Sequence, residues 1–243
     1  MAQAETKESA GTGGKLYMLP VPLAENALHT IPESVKLLSC RLKFYFVENI
    51  RTARRYLKSI DREVDIDAIH FVEINNQTEP DLALLRQWLK AGHEVGMMSE
   101  AGCPGMADPG SVLAALAQEM GVLVIPQTGP SSVLLALMAS GFNGQGFRFT
   151  GYLPVKDPQR GKAIKELEQL SVQRNETQIF IETPYRNNQL LQELLRLCKH
   201  STRLCIAADI TGEGEWIRTQ TIGAWTQAPP DLHKRPVVFL LMG

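Results

Sequence analysis

Ser99–Gly110 reads SEAGCPGMADPG. It follows a short apolar run, Glu94–Met98 (EVGMM), and precedes a helical stretch, Ser111–Met120. Three glycines and two prolines in twelve residues exceed what a helix cap needs. Gly102, Gly105 and Gly110 have no side chain to hold a ligand away from the backbone. Asp108 is placed as an N-cap and Pro109 as the first helical residue. A bare strand–helix connection would show the cap alone, so the stretch reads as a ligand loop at the carboxyl end of a strand, where open α/β sheets bind their ligands.

Outward from this loop the pattern repeats. Leu16–Leu19, Lys43–Val47, His70–Ile74 and Val122–Ile125 read as further strands. Helical spacing falls at Asn49–Ile60, at Pro80–Ala91 (opened by Thr78 with Asp81 three residues on), and at Ser131–Ser140. Such alternation predicts a mostly parallel sheet with helices on its faces. A second loop, Pro126–Ser132 (PQTGPSS), follows the fifth strand. On its own it is a turn capped by Ser131, but two such loops after successive strands share one sheet edge. After a hinge at Phe142–Gly146, Phe147–Leu153 and Thr177–Ile181 read as strands and Pro158–Leu170 and Asn187–Lys199 as helices. Arg203–Ile210, Glu215–Ile222 and Pro236–Met242 make the end strand-rich. The expectation is an α/β protein with a loose tail over residues 1–14, one α/β domain over 15–144 and another over 145–243.

The 243 residues accommodate two cores, and 44% hydrophobic with 21% charged residues is an ordinary globular balance. A formal net charge of −1 means that any nucleic-acid contact must use a local patch. The run Arg51, Arg54, Arg55 and Lys58 on one helix is such a patch, or simply a solvated face. The cysteines, Cys40, Cys103, Cys198 and Cys205, show no C-x-x-C spacing, and the five histidines are scattered, so no metal site is signalled. The start lacks the apolar core of a secretory signal, and no apolar run reaches the roughly 18 residues of a membrane span. The expectation is a cytoplasmic protein with reduced thiols and no membrane contact. There is no G-x-x-x-x-G-K-[ST] sequence and no complete G-x-G-x-x-G after the first strand. Glu48, Arg51, Glu182 and Arg186 each follow a predicted strand, as catalytic groups or as surface salt bridges and caps. Cys103 has no paired base in the pattern and reads as packing.

The loop at 99–110 resembles the Ser-Asp-Ala-Gly-x-Pro-Gly-x-x-Asp-Pro-Gly loop of the tetrapyrrole-methylase superfamily of S-adenosylmethionine-dependent methyltransferases. Its form is similar to the branch that methylates a cytidine ribose 2′-hydroxyl in small-subunit ribosomal RNA. Further motifs follow in order. Leu16-Tyr17-Met18-Leu19 with Pro22 resembles the branch's opening strand and turn, and Glu48-Asn49-Ile50-Arg51 its Glu-Asp-Thr-Arg. Gly129-Pro130-Ser131-Ser132 resembles its Pro-Gly-Pro-Ser-Ala loop. Phe149–Pro154 resembles Phe-x-Gly-Phe-Leu-Pro, and Glu182–Arg186 resembles Glu-Ser-Pro-His-Arg. The resemblance implies two α/β domains with a cofactor cleft between them, a homodimer, and S-adenosylmethionine as cofactor. Carried over, Glu100, Gly102, Pro104 and Gly105 hold the cofactor with Met106, Ala107 and Asp108. Gly129, Ser131 and Ser132 hold it from the second loop, and Pro22 and Pro184 line the cleft. Glu48, Arg51 and Glu182 are the catalytic candidates. The sequence departs from the branch at Ala24, Asn49, Ile50 and Glu100, and its Ala-Arg-Glu-Leu-Thr-Lys is here Ala207–Gly212, with Ala208 and Gly212 in place of the two cations. Those departures leave three readings open: ribosomal RNA methylation, methylation of a tetrapyrrole or other small molecule, and a non-catalytic cofactor-binding module.

Overall fold

The structure, a computed structural model, describes residues 13–74 and 80–243. Residues 1–12 of the tail expected over 1–14, and the expected cap at Thr78, lie outside the described residues. Gly14 is buried, and its amide donates to the Leu89 carbonyl at 3.0 Å. The chain forms two compact units. One holds the chain up to Val21 together with Ile31–Gly129; the other holds Pro22–Thr30 and Pro130–Gly243.

Unit 1 is an all-parallel five-stranded sheet of order β3-β2-β4-β1-β5. The strands are β1 (Lys15–Met18), β2 (Phe44–Val47), β3 (His70–Glu73), β4 (Glu94–Met98) and β5 (Leu123–Pro126). Helices α1 (Glu33–Arg41), α2 (Ile50–Ile60), α3 (Leu82–Lys90) and α4 (Gly110–Glu119) make the crossovers. The central strands are covered on both faces, so they read as continuous apolar runs. Leu16, Phe46, Val95 and Met97 from the sheet pack with Leu85, Leu89, Leu113 and Leu116 of α3 and α4. The expected helix at Pro80–Ala91 starts later, because Asp81 is its N-cap and its carboxylate accepts the Leu84 amide at 2.9 Å. Adjacent strands β1 and β4 send their crossovers in opposite directions, to β2 and to β5. Right-handed crossovers in opposite directions cover opposite faces, so the helices that follow β1 and β4 lie on opposite faces of the sheet, beyond the two loops at this edge.

Unit 2 has a mixed sheet of order β6-β7-β10-β8-β9, in which β6 and β7 pair in parallel and the other neighbours pair antiparallel. Its strands are β6 (Phe147–Tyr152), β7 (Thr177–Ile181), β8 (Arg203–Ala208), β9 (Trp216–Thr221) and β10 (Val237–Met242). Helices α6 (Gln159–Arg174), α7 (Asn187–Leu197) and α8 (Ile222–Gln227) pack Ile164, Leu190, Leu194 and Trp225 on one face. Helix α5 (Ser132–Ser140) packs Val133, Ala136 and Leu137 on the other, against Ile179, Cys205 and Val238. The pairing of β6 slips by one residue between Phe149 and Gly151, leaving Thr150 as a bulge with Gly151 at φ 74°. Among the described residues no helix is long and apolar enough to cross a membrane.

Candidate cofactor-loop site

The loop after β4 is built from side-chain-to-backbone bonds. The Asp108 carboxylate accepts the Gly105 amide at 2.8 and 2.9 Å through its two oxygens, and the Gly110 amide at 2.7 Å through Oδ1. The assigned helix begins at Gly110, and Pro109 before it already has helical angles, φ −73° and ψ −2°. The Asp108 bond to the Gly110 amide is the one an N-cap side chain makes to the second residue after it, and the same carboxylate also braces the Gly105 amide. Gly105 sits at φ 86° and Ala107 at φ 64°. A non-glycine residue in that region is uncommon and holds only where its surroundings force it, so Ala107 marks stored strain in the loop.

Three tethers fix this loop to its neighbours in unit 1. Val21 and Gly102 exchange both backbone hydrogen bonds, at 3.0 and 3.1 Å, joining the loops after β1 and β4. The Cys103 thiol donates to the Gly129 carbonyl at 3.8 Å. The Glu48 carboxylate, just beyond β2, accepts the Glu100 amide at 2.6 Å. Burial pushes Glu48 above the usual carboxylate range. The Glu100 amide bond works against this, and the nearby carboxylates of Asp108 and Glu100 add to it. Burial also raises the Cys103 thiol, with Asp108 adding to the effect, so a thiolate nucleophile is disfavoured there. Gly129 has a plain steric role: a Cβ there would lie 2.2 Å from Cγ of Pro20.

Of the expected site residues, unit 1 brings together Glu48, Glu100, Gly102, Gly105, Asp108 and Gly129 through these bonds and contacts. Met106 and Ala107 are exposed, and Pro104 is half-buried. Arg51 is exposed in the first turn of α2, whose N-cap Asn49 accepts the Thr52 amide at 3.0 Å. In unit 2, Ser131 occupies the N-cap position of α5 without a side-chain cap bond, and Ser132 begins the helix. Pro22 belongs to unit 2. Pro184 accepts the Lys234 amide at 3.0 Å. Glu182 is buried among partners. Oε1 accepts the Thr183 amide at 2.7 Å and Arg186 at 2.6 Å, and Oε2 takes the Arg160 guanidinium. Burial pushes its carboxyl up, but the Arg186 and Thr183 hydrogen bonds and both guanidinium charges outweigh this and hold it below the usual range. A carboxylate so held is a weak proton acceptor. Among the described residues no group of three His, Cys, Asp or Glu side chains is placed to hold a metal ion.

The edge of unit 1 thus carries Glu48, Glu100 and Asp108, and neither glycine loop contains a lysine or arginine. Anionic phosphates would be repelled there. A ligand with positive charge and apolar bulk, such as a sulfonium amino-acid nucleoside, fits better. Substituting Gly105 tests the loop. A Cβ there meets Cε of Met18 at 3.5 Å and the Ser111 amide nitrogen at 3.9 Å, both ordinary contacts, so the penalty of Gly105→Val lies in the φ of 86°. The expected result, by calorimetry, is a folded protein whose affinity for S-adenosylhomocysteine falls at least about tenfold, or 1.4 kcal/mol. Unchanged binding would put the cofactor elsewhere.

No protein-family model matches the chain. Curated proteins named ribosomal RNA small subunit methyltransferase I are similar along nearly all of it. That of Vibrio cholerae serotype O1 is 27% identical over 231 residues, 94% of this chain and 77% of the relative. That of Escherichia coli O157:H7 is 26% identical over 233 residues, 95% and 78% respectively. Among solved structures, uroporphyrin-III C-methyltransferase of Thermus thermophilus, complexed with S-adenosylhomocysteine, superposes with a TM-score of 0.58 at 15% identity, covering 94% of this chain and 97% of that one. That likeness concerns the fold. The chain is thus similar along nearly all of its length to proteins named ribosomal RNA small subunit methyltransferase I, and its fold is like that of uroporphyrin-III C-methyltransferase.

Proposed function

We propose that this chain methylates a ribose 2′-hydroxyl of small-subunit ribosomal RNA, using S-adenosylmethionine. The observation that carries the reading is the pair of glycine loops without lysine or arginine, beside the Glu48 carboxylate that is tied to the Glu100 amide and raised by burial. The names of the relatives supply the substrate class. The backbone from Gly102 to Asp108, with Glu100 and Gly129, would hold the cofactor. When bound, S-adenosylmethionine supplies a methyl group already activated on a sulfonium.

The chain's own work is then positioning and proton removal. Asp108 braces the loop turn. Glu48 accepts the hydroxyl proton, its pKa raised toward the working pH. Arg51, exposed in the first turn of α2, meets substrate phosphate. Glu182 fixes Arg186 and takes no proton. A cytoplasmic homodimer completes the reading.

Helix α2 is the main basic surface in this reading. Arg51, Arg54, Arg55 and Lys58 are exposed, while Ala53, Tyr56 and Leu57 are buried. The Arg54 guanidinium lies 5.6 Å from the Phe71 ring centroid, which orients it without neutralising it. The test is incubation with methyl-labelled cofactor and unmodified small-subunit ribosomal RNA, with nucleosides analysed by mass spectrometry. Label in a 2′-O-methylnucleoside is expected; label only in an added tetrapyrrole would overturn the substrate. Replacing Arg54 and Arg55 with Ala is expected to flatten the salt dependence of RNA affinity by up to about two units of slope. An unchanged slope would remove α2 from the RNA contact.

A further inference from the structure

In unit 2 the large aromatic residues Phe180, Phe239 and Trp225 are buried, whereas Tyr185 is 71% exposed and Tyr152, at the end of β6, is 55% exposed. The methyl-transfer reading uses neither. Tyr185 nevertheless stands on a heavily braced turn. On one side, the Arg186 amide donates to the Thr183 carbonyl at 2.9 Å, and the Arg186 guanidinium is held by buried Glu182. On the other, the segment Asp231–Arg235 is pinned against the start of α7. Asn188 donates to Asp231 and accepts the Leu232 amide, both at 2.7 Å. Asn187 donates to the Arg235 carbonyl at 2.7 Å. The Lys234 amide then joins the two segments through the Pro184 carbonyl, with Lys234 strained at φ 62°. The result sets the His233 ring edge-on to Tyr185, with centroids 6.0 Å apart and planes at 74°. Leu232 anchors the segment in the core, while Tyr185, His233 and Lys234 beside it face solvent.

We propose that Tyr185, walled by His233, is a stacking platform for one unpaired RNA base, with Lys234 and Arg186 supplying cations for the adjoining phosphate. The inference rests on the RNA reading above and adds to it the form of RNA recognised: a strand whose base is splayed out, not a duplex. Single-stranded RNA is held by aromatic faces beside cations because every base has a π-face and every linkage a negative charge. One open ring with a second standing at its edge offers a face the size of one base. Arg186 also keeps a buried Nε–H without a hydrogen-bond partner, a donor left over after its bond to Glu182.

The probe is a fluorescein-labelled single-stranded oligoribonucleotide, followed by anisotropy with the full chain. Tyr185→Ala is expected to weaken binding about tenfold, and Tyr185→Phe, which keeps the ring, to stay within about twofold of the native protein. The salt slope should be unchanged in both, since no phosphate contact is removed, and so should affinity for S-adenosylhomocysteine. Native binding by Tyr185→Ala, with the native protein still binding RNA, would overturn the platform and leave the RNA reading standing. A native protein that binds no oligoribonucleotide would overturn both. A parallel loss of S-adenosylhomocysteine affinity would assign Tyr185 to the cofactor site instead, and a loss confined to added uroporphyrin would assign it to a small planar substrate.

Discussion

Glu48→Gln is expected to lower kcat for methyl transfer by about 10²- to 10⁴-fold, the usual contribution of a positioned general base. The replacement is nearly isosteric, and its amide oxygen can still accept the Glu100 amide, which donates to Glu48 at 2.6 Å. The loop geometry should therefore survive, and S-adenosylhomocysteine should bind within about threefold of the native affinity, roughly 0.6 kcal/mol. The pH profile adds a second readout. Burial raises the Glu48 carboxyl, and the carboxylates of Asp108 and Glu100 keep it above the usual range despite the amide bond. As pH falls through that raised value Glu48 takes a proton and can accept no other, so the acid limb of kcat should lie above the ordinary carboxylate range and vanish in the variant. Stability runs the other way. A carboxyl raised on folding contributes stability below its unfolded pKa and loses it as pH rises through the folded value. At neutral pH the variant should thus melt no lower than the native protein. A kcat within tenfold of native would remove Glu48 from the proton transfer.

The parallel half was legible because its physics is local. FYFV and EVGMM are short apolar runs, as strands covered on both faces must be. Helix α1 was not legible: Leu37 is exposed, Ser39 is buried, and Pro32 at its start makes no side-chain cap, so its apolar spacing shows no clean face. Neither does the sequence of α5 say which sheet it covers. Apolar residues fill Val133–Ala139, and packing against β7, β8 and β10 decides the matter. The glycine loop announced itself by composition, but its bracing did not. Glu48 reaches Glu100 across 52 positions and Cys103 reaches Gly129 across 26, and pairs so distant leave no mark on local pattern. Glu182 shows the same limit. Its place after a strand suggested chemistry, and only the folded chain reveals that Arg160, 22 positions earlier, occupies it.

Glu182→Ala should therefore act on stability before it acts on turnover. Arg160 is fully buried, and its guanidinium is shared between Glu182, the Pro154 carbonyl at 2.9 Å and Glu193 at 3.4 Å. Removing one partner of a buried pair leaves a charge in a poor solvent and costs about 3–5 kcal/mol. The remaining contact with Glu193 puts the expectation near the lower end, about 3 kcal/mol, or roughly 10 °C in melting temperature for a unit of this size. Trp216 and Trp225 belong to unit 2 and Trp88 to unit 1, so fluorescence in a Trp88→Phe background reports the affected unit alone. The acid response fixes the cause. The Glu182 carboxyl is depressed on folding, so its stabilisation is present above its unfolded pKa and is lost as pH falls through the folded value. The gap in melting temperature between native and variant should be full at neutral pH and close as the pH drops below the ordinary carboxylate range. A gap independent of pH would assign the loss to packing rather than to the ion pair. A variant with native melting and a collapse of kcat alone would return Glu182 to the chemistry.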